Sequence, residues 1–193
     1  MNKRQKRQLL IIVFSIIAIG SAVIYIIVFN FGCWNIFSQT AQNACYTDRA
    51  IEKQDPTICQ RMPNKTTKDA CYYFFVMNYT STVKNPDPTV CDKISNQSYI
   101  FGLVGQSPKD ACYYRIALVK QDSTVCDNIV NQNTKDYCSA LATNDSTLCD
   151  GISDQYTKNY CYYYIALEKK YSSLCDKISD QYTKNECHYL LAQ

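Results

Sequence analysis

Residues 157–167 read TKNYCYYYIAL, one cysteine ahead of three tyrosines and a short aliphatic run, and the pattern returns as TKDACYYFFVM from Thr67 and PKDACYYRIAL from Pro108. At about 100° per residue, Cys161, Tyr162, Ile165 and Ala166 fall on one side of a helix, with Tyr163 and Leu167 just beyond that stripe. Position 164 is Phe74 or Arg115 in the sister copies, so it belongs to a rim or surface. A helix apolar over more than half its circumference is held between neighbours, as the inner helix of a stack of hairpins is. The aromatic run is therefore read as packing first and ligand contact second.

Working outward, the cysteines stand at 33, 45, 59, 71, 91, 112, 126, 138, 149, 161, 175 and 187. Most steps alternate between 12 and 14, a period of 26, which is the mark of stacked supersecondary units. A second box alternates with the first. It reads DPTIC from Asp55, DPTVC from Asp87, DSTVC from Asp122 and DSTLC from Asp145, with YSSLC from Tyr171 as a variant. Its leading Asp is a good N-cap, and proline suits the first helical position, so the box predicts a short helix of about two turns. The TKDAC-type box opens the longer helix of each pair, and Thr183 to Glu186 has the capping-box form. The first unit, CWNIFSQTAQNACYTDRAIEK from Cys33, aligns with CDKISDQYTKNECHYLLA from Cys175.

Two pairings of the cysteines compete. Cys175 and Cys187 lie almost equally far from a turn near Asp180-Gln181, so antiparallel helices bring them side by side. Cys161 and Cys175 flank a turn near Lys170-Tyr171 unequally, which leaves an axial offset of several ångström at about 1.5 Å per residue. The first scheme also uses every cysteine: Cys33–Cys45, Cys59–Cys71, Cys91–Cys112, Cys126–Cys138, Cys149–Cys161 and Cys175–Cys187. Zinc would want closer cysteine pairs or histidines, and His188 is the single histidine. A C-x-x-C redox motif is absent. No metal and no cofactor are expected.

From Leu9 to Phe29 the chain carries no charge, and these 21 predominantly apolar residues suffice to span a bilayer as a helix. Lys3, Arg4, Lys6 and Arg7 precede it, which places the N-terminus in the cytoplasm. The expected organisation is a basic tail over 1–8, a transmembrane signal-anchor over 9–31 and an extracytoplasmic repeat domain over 32–193. A cleavable signal peptide, cut near Ala18 to Gly20, is the alternative. A lipobox ending at Cys33 is poorly matched. An oxidising exterior agrees with twelve cysteines, and four N-x-S/T sequons (Asn64, Asn78, Asn96, Asn144) suit it too. The expected fold class is all-α: a disulfide-stapled helical-hairpin array, a short α-solenoid of about six units, behind one membrane helix.

The boxes DPTVCDKI and TKDACYYRIAL resemble the cysteine-laced helical-hairpin repeats of membrane-anchored proteins in small-genome archaea, over the chain from Cys33 onward. They are similar in kind to tetratricopeptide and Sel1-like repeats, without the length or small-residue pattern of those families. The resemblance implies an all-helical array with a binding role. It transfers no site residues.

For function, the composition excludes more than it names. The formal net charge is +3, with the basic excess in the N-terminal tail, so no basic face for nucleic acid is expected. One histidine and five glycines leave no nucleophile–base set and no phosphate-cradling loop visible, so no catalytic residue is assigned. Departures from the repeat point further. The third unit carries an insertion whose apolar run, Tyr99, Ile100, Phe101, Leu103 and Val104, either tucks into the array or offers a contact site. Tyr73, Tyr114, Tyr163 and Tyr189 share one repeated position and would form a binding ladder if that face is exposed. The leading expectation is a surface-anchored module that binds a protein or glycan. A self-associating envelope component is the second reading, and a secreted inhibitor-like protein the third, should the anchor be cleaved.

Overall fold

The computed structural model describes residues 33, 36, 38–82, 86–95 and 107–193. The apolar run 9–29, the insertion with Tyr99, Ile100, Phe101 and Leu103, and the Asn96 sequon lie outside the described residues. No described helix is long and apolar enough to cross a membrane. The chain divides into two compact units, Met1–Tyr46 and Thr47–Gln193. The first holds the Cys33–Cys45 disulfide.

The described residues are helical, with no strand among them. In chain order they form α1 (Gln39–Lys53), η1 (Pro56–Arg61), α2 (Lys65–Thr82), η2 (Pro88–Lys93), α3 (Pro108–Lys120), η3 (Ser123–Asn128), α4 (Gln132–Thr143), η4 (Ser146–Gly151), α5 (Gln155–Lys169), α6 (Ser172–Cys175) and α7 (Gln181–Leu191), where η marks a 3₁₀ helix. Within the second unit, α2, α3, α4, α5 and α7 pack in sequence, each on the next. Helices α3 and α4 each also pack against the 3₁₀ helix before and the one after.

Each short helix is built by its DxT/SxC box. Asp55, Asp87, Asp122 and Asp145 sit in extended backbone, and each accepts the N–H of the threonine two residues on. The exit is equally regular. The backbone N–H of Met62, Ile94, Ile129 or Ile152 reaches back three residues to the cysteine carbonyl, and each of these side chains is at most 2 % exposed. Two turns of 3₁₀ helix result, tighter than the expected short α-helix, because three-residue bonds close both ends. The YSSLC variant shows the cap's role by its absence. Tyr171 makes no side-chain cap bond, and its segment folds as the one-turn α-helix α6.

The longer helices start earlier than the capping-box reading placed them. Asp154 and Asp180 are the N-caps of α5 and α7, and each accepts both the N–H and the hydroxyl of the threonine three residues later. Thr183 thus donates to the cap rather than acting as it, and is buried. Four helices, α1, α3, α4 and α5, end on a left-handed residue: Gln54, Gln121, Asn144 and Lys170, with φ of 51°, 52°, 54° and 57°. The next N–H then reaches back five residues to Ala50, Ala117, Ala140 or Ala166, each fully buried, at 2.9–3.1 Å. This closes the orphan carbonyls with non-glycine residues that strain the backbone slightly.

Six disulfides join Cys33–Cys45, Cys59–Cys71, Cys91–Cys112, Cys126–Cys138, Cys149–Cys161 and Cys175–Cys187. Their Cα–Cα distances are 5.6–5.8 Å, which is ordinary for a bridge. Beside four of them runs a second tie, between the residues that follow the two cysteines. Tyr113 donates to Asp92 at 2.5 Å, Tyr162 donates to Asp150, His188 faces Asp176 at 3.2 Å, and Tyr72 bonds Gln60. The first aromatic after the cysteine is therefore a strut alongside the disulfide. Burial, and then the bond to the carboxylate, pushes the Tyr113 and Tyr162 hydroxyls well up from the ordinary phenol range.

Successive units are joined by polar side chains, three of the four buried. Asp69 accepts from the Ser95 N–H at 3.2 Å, Asp110 from Val130 N–H at 3.2 Å, Asn133 from Ser153 N–H at 2.9 Å and Asn159 from Ser179 N–H at 3.1 Å. Each acceptor lies near the start of one long helix, and each donor immediately follows a core residue, Ile94, Ile129, Ile152 or Ile178. The acceptor side chains of Asp69, Asp110 and Asn159 are only 2–5 % exposed, which limits the competition of water for them.

Candidate partner-binding surface

The tyrosines of the repeated position do not form an exposed ladder. Tyr163 is buried, Tyr73 and Tyr114 are half-buried, and Tyr189 alone is open, at 68 % exposure. The reason is that helices pack on both sides of this position. Tyr114 on α3 stacks on Tyr137 of α4, with ring centroids 5.6 Å apart and planes 12° apart. Tyr163 meets Tyr164 edge-on at 5.2 Å. Tyr114 and Tyr137 meet between neighbouring helices, while Tyr163 is buried.

The exposed tyrosines lie elsewhere. Tyr156, Tyr160 and Tyr164 follow one another at four-residue spacing along α5, so they share one helix face. Tyr156 packs on Tyr160 at 4.7 Å, and Tyr160 on Tyr164 at 6.2 Å. Tyr156 and Tyr164 are 70 % and 47 % exposed, and Tyr182, at the start of α7, is 77 % exposed. The spacing was visible in QYTKNYCYYY, but only packing decides which of five tyrosines in that stretch face water. A cleft of about 540 Å³ is lined by Tyr156, Tyr160 and Tyr182 together with Gln155, Asn159 and Asp180. The Tyr160 hydroxyl is pushed up to about 12, first by its hydrogen bond with Tyr156 and then by desolvation. It stays protonated, a neutral hydrogen-bonding group at the cleft wall.

A second groove, of about 510 Å³, crosses the C-terminal ends of α3, α4 and α5. Its walls include Tyr114, Leu118, Leu141 and Tyr164, and its polar groups include Gln121, Asn144 and Glu168. Asn144 Oδ1 is buried and has no hydrogen-bond partner, the single side-chain atom in that condition among the described residues. A third cavity, of about 240 Å³, is lined by Tyr72, Phe75 and Tyr79 of α2 with residues of η1 and η2.

The described sequons differ in setting. Asn64 is exposed and its Oδ1 accepts the Thr67 N–H at the start of α2; Asn78 is exposed on α2; Asn144 is the left-handed cap of α4. Among the described residues no three His, Cys, Asp or Glu side chains converge as metal ligands would. Compared with family models, with curated proteins and with solved structures, the chain gives no match.

Proposed function

We propose that this chain is a membrane-anchored, extracytoplasmic helical-repeat protein, a short α-solenoid of about six hairpins, that binds another macromolecule at the cell surface. The observation that carries the reading is the row of exposed tyrosines on α5, continued by Tyr182 on α7 and flanked by clefts. Tyrosine gives large contact area at low entropic cost, and contiguous exposed rings are unusual on a surface with no partner. Twelve paired cysteines support an oxidising exterior, and the basic tail followed by the run 9–29 supports a single span with the N-terminus in the cytoplasm.

The test is a variant with Tyr156, Tyr164 and Tyr182 all changed to Ser, compared with wild type by chemical crosslinking on intact cells. Unchanged thermal stability with loss of the crosslinked partner supports the reading. Undiminished crosslinking overturns it. Crosslinks only between copies of this chain assign the surface to a self-associating envelope component instead.

A further inference from the structure

The groove over the ends of α3, α4 and α5 departs from the repeat at one position. Helices α1, α3 and α5 end on lysine, Lys53, Lys120 and Lys169, each followed by a left-handed cap. Helix α4 ends on Thr143 and, like α2, holds no basic residue in its last turn. A helix C-terminus carries about half a negative charge, and a lysine there is the usual local answer. At α4 the answer is missing. Asn144 Oδ1, unpaired behind the groove wall, adds an uncompensated negative dipole at the same place.

The rest of the lining carries the same sign. Glu168 is the single charged residue of the groove, and neither lysine nor arginine lines it. The cations of the neighbouring segments have partners outside the groove: Lys120 acts on Asp87 and Asp122, Lys169 acts on Asp145, and Arg115, which also acts on Tyr114, donates to Thr80 at 3.3 Å. The walls offer the rings of Tyr114 and the half-exposed Tyr164, whose faces attract a cation. Aromatic faces, a carboxylate, a helix C-terminus and an unpaired carbonyl dipole all favour positive charge. They disfavour phosphate and acidic glycans.

We propose that this groove takes a basic side chain, a lysine or arginine, from a partner protein. The assignment rests on the reading of the domain as a protein-binding module and names the chemistry of one contact. The missing lysine of α4 is in effect supplied by the ligand.

The test is an NMR titration of the full chain, disulfides intact, with the blocked tripeptide acetyl-Gly-Lys-Gly-amide, its norleucine analogue and maltotriose. The expected result is saturable shifts of the Asn144 side-chain amide and the Tyr164 ring with the lysine peptide and not with the analogue. Glu168→Gln should weaken binding about threefold to fivefold, the loss of one exposed ion pair. Thr143→Lys, which restores the residue of the sister helices, should weaken it by about as much. Both positions are exposed, and retained helical circular dichroism shows that each variant folds. Equal shifts with the norleucine peptide, no effect of Glu168→Gln, or shifts with maltotriose alone would each overturn the proposal, the last assigning the groove to a glycan. If the lysine peptide fails while tyrosine-dependent crosslinking on cells persists, the groove assignment falls and the partner-binding reading stands. If crosslinking fails while the peptide binds, the reverse holds.

Discussion

The residue that recurs with most consequence is the aspartate ahead of each short helix. Its carboxylate is held below the ordinary range by hydrogen bonds from one threonine, the hydroxyl first at Asp55 and Asp122 and the backbone N–H first at Asp87 and Asp145. A lowered folded-state pKa means that the unfolded chain binds protons more readily, so the stabilisation is present above the unfolded value of about 3.9 and is lost as pH falls through the folded one. Thermal midpoints should therefore drop on acidification below about pH 4. Asparagine caps as well as aspartate but does not titrate there, so changing all four to Asn should flatten that acid limb while leaving the midpoint near pH 7 little altered. An acid limb of unchanged steepness would show that other carboxylates govern it. The joints between units make a second prediction at this scale. Asn159→Ala leaves the Ser179 N–H without its buried acceptor and should lower stability by about 1 kcal/mol in denaturant unfolding. An unchanged midpoint would mean that this bond does not couple the units.

At the scale of the element, short and long helices depend on each other. A six-residue 3₁₀ helix and a helix of 11–15 residues are each marginal in water and gain order from the disulfide between them. In the chain-entropy model a 12-residue loop contributes on the order of 3 kcal/mol. Replacing Cys149 and Cys161 together by Ala should lower the melting temperature by roughly 6–12 °C for a domain of this size. Calorimetry that finds no drop would show that packing alone holds the pair. The variant box makes the opposite test. Tyr171 is exposed and its backbone is extended like that of the capping aspartates, yet it leaves α6 uncapped. Tyr171→Asp should stabilise the protein by about 1 kcal/mol, read as a rise in the denaturant midpoint.

At the scale of the whole molecule, the period and the apolar positions of each helix were legible from residues alone. The pairs Cys149–Cys161 and Cys175–Cys187 follow from equal distances to a turn, and the structure joins the same six pairs that geometry and full use of the cysteines favour. What stayed illegible was the role of side chains whose partners lie one unit away. Asp69, Asp110 and Asn159 read as helix-start residues, and their bonds to Ser95, Val130 and Ser179 span 20–26 residues. Their recurrence two residues before the cysteine was a signal, but a local spacing carries no information on a distant donor. The same holds for the tyrosines. Periodicity gives a face of one helix, while the neighbours on either side decide whether that face meets water, so Tyr163 is buried and Tyr164 is open. The grooves, the unpaired Asn144 oxygen and the absence of lysine from the lining around Glu168 belong wholly to tertiary structure. The sequence by itself determined an all-helical, disulfide-stapled repeat, because caps, helical period and cysteine spacing act within a dozen residues. Only the tertiary structure decided which aromatics form a surface and which polar and charged groups share a groove, because exposure and surroundings are set by whatever packs against a residue.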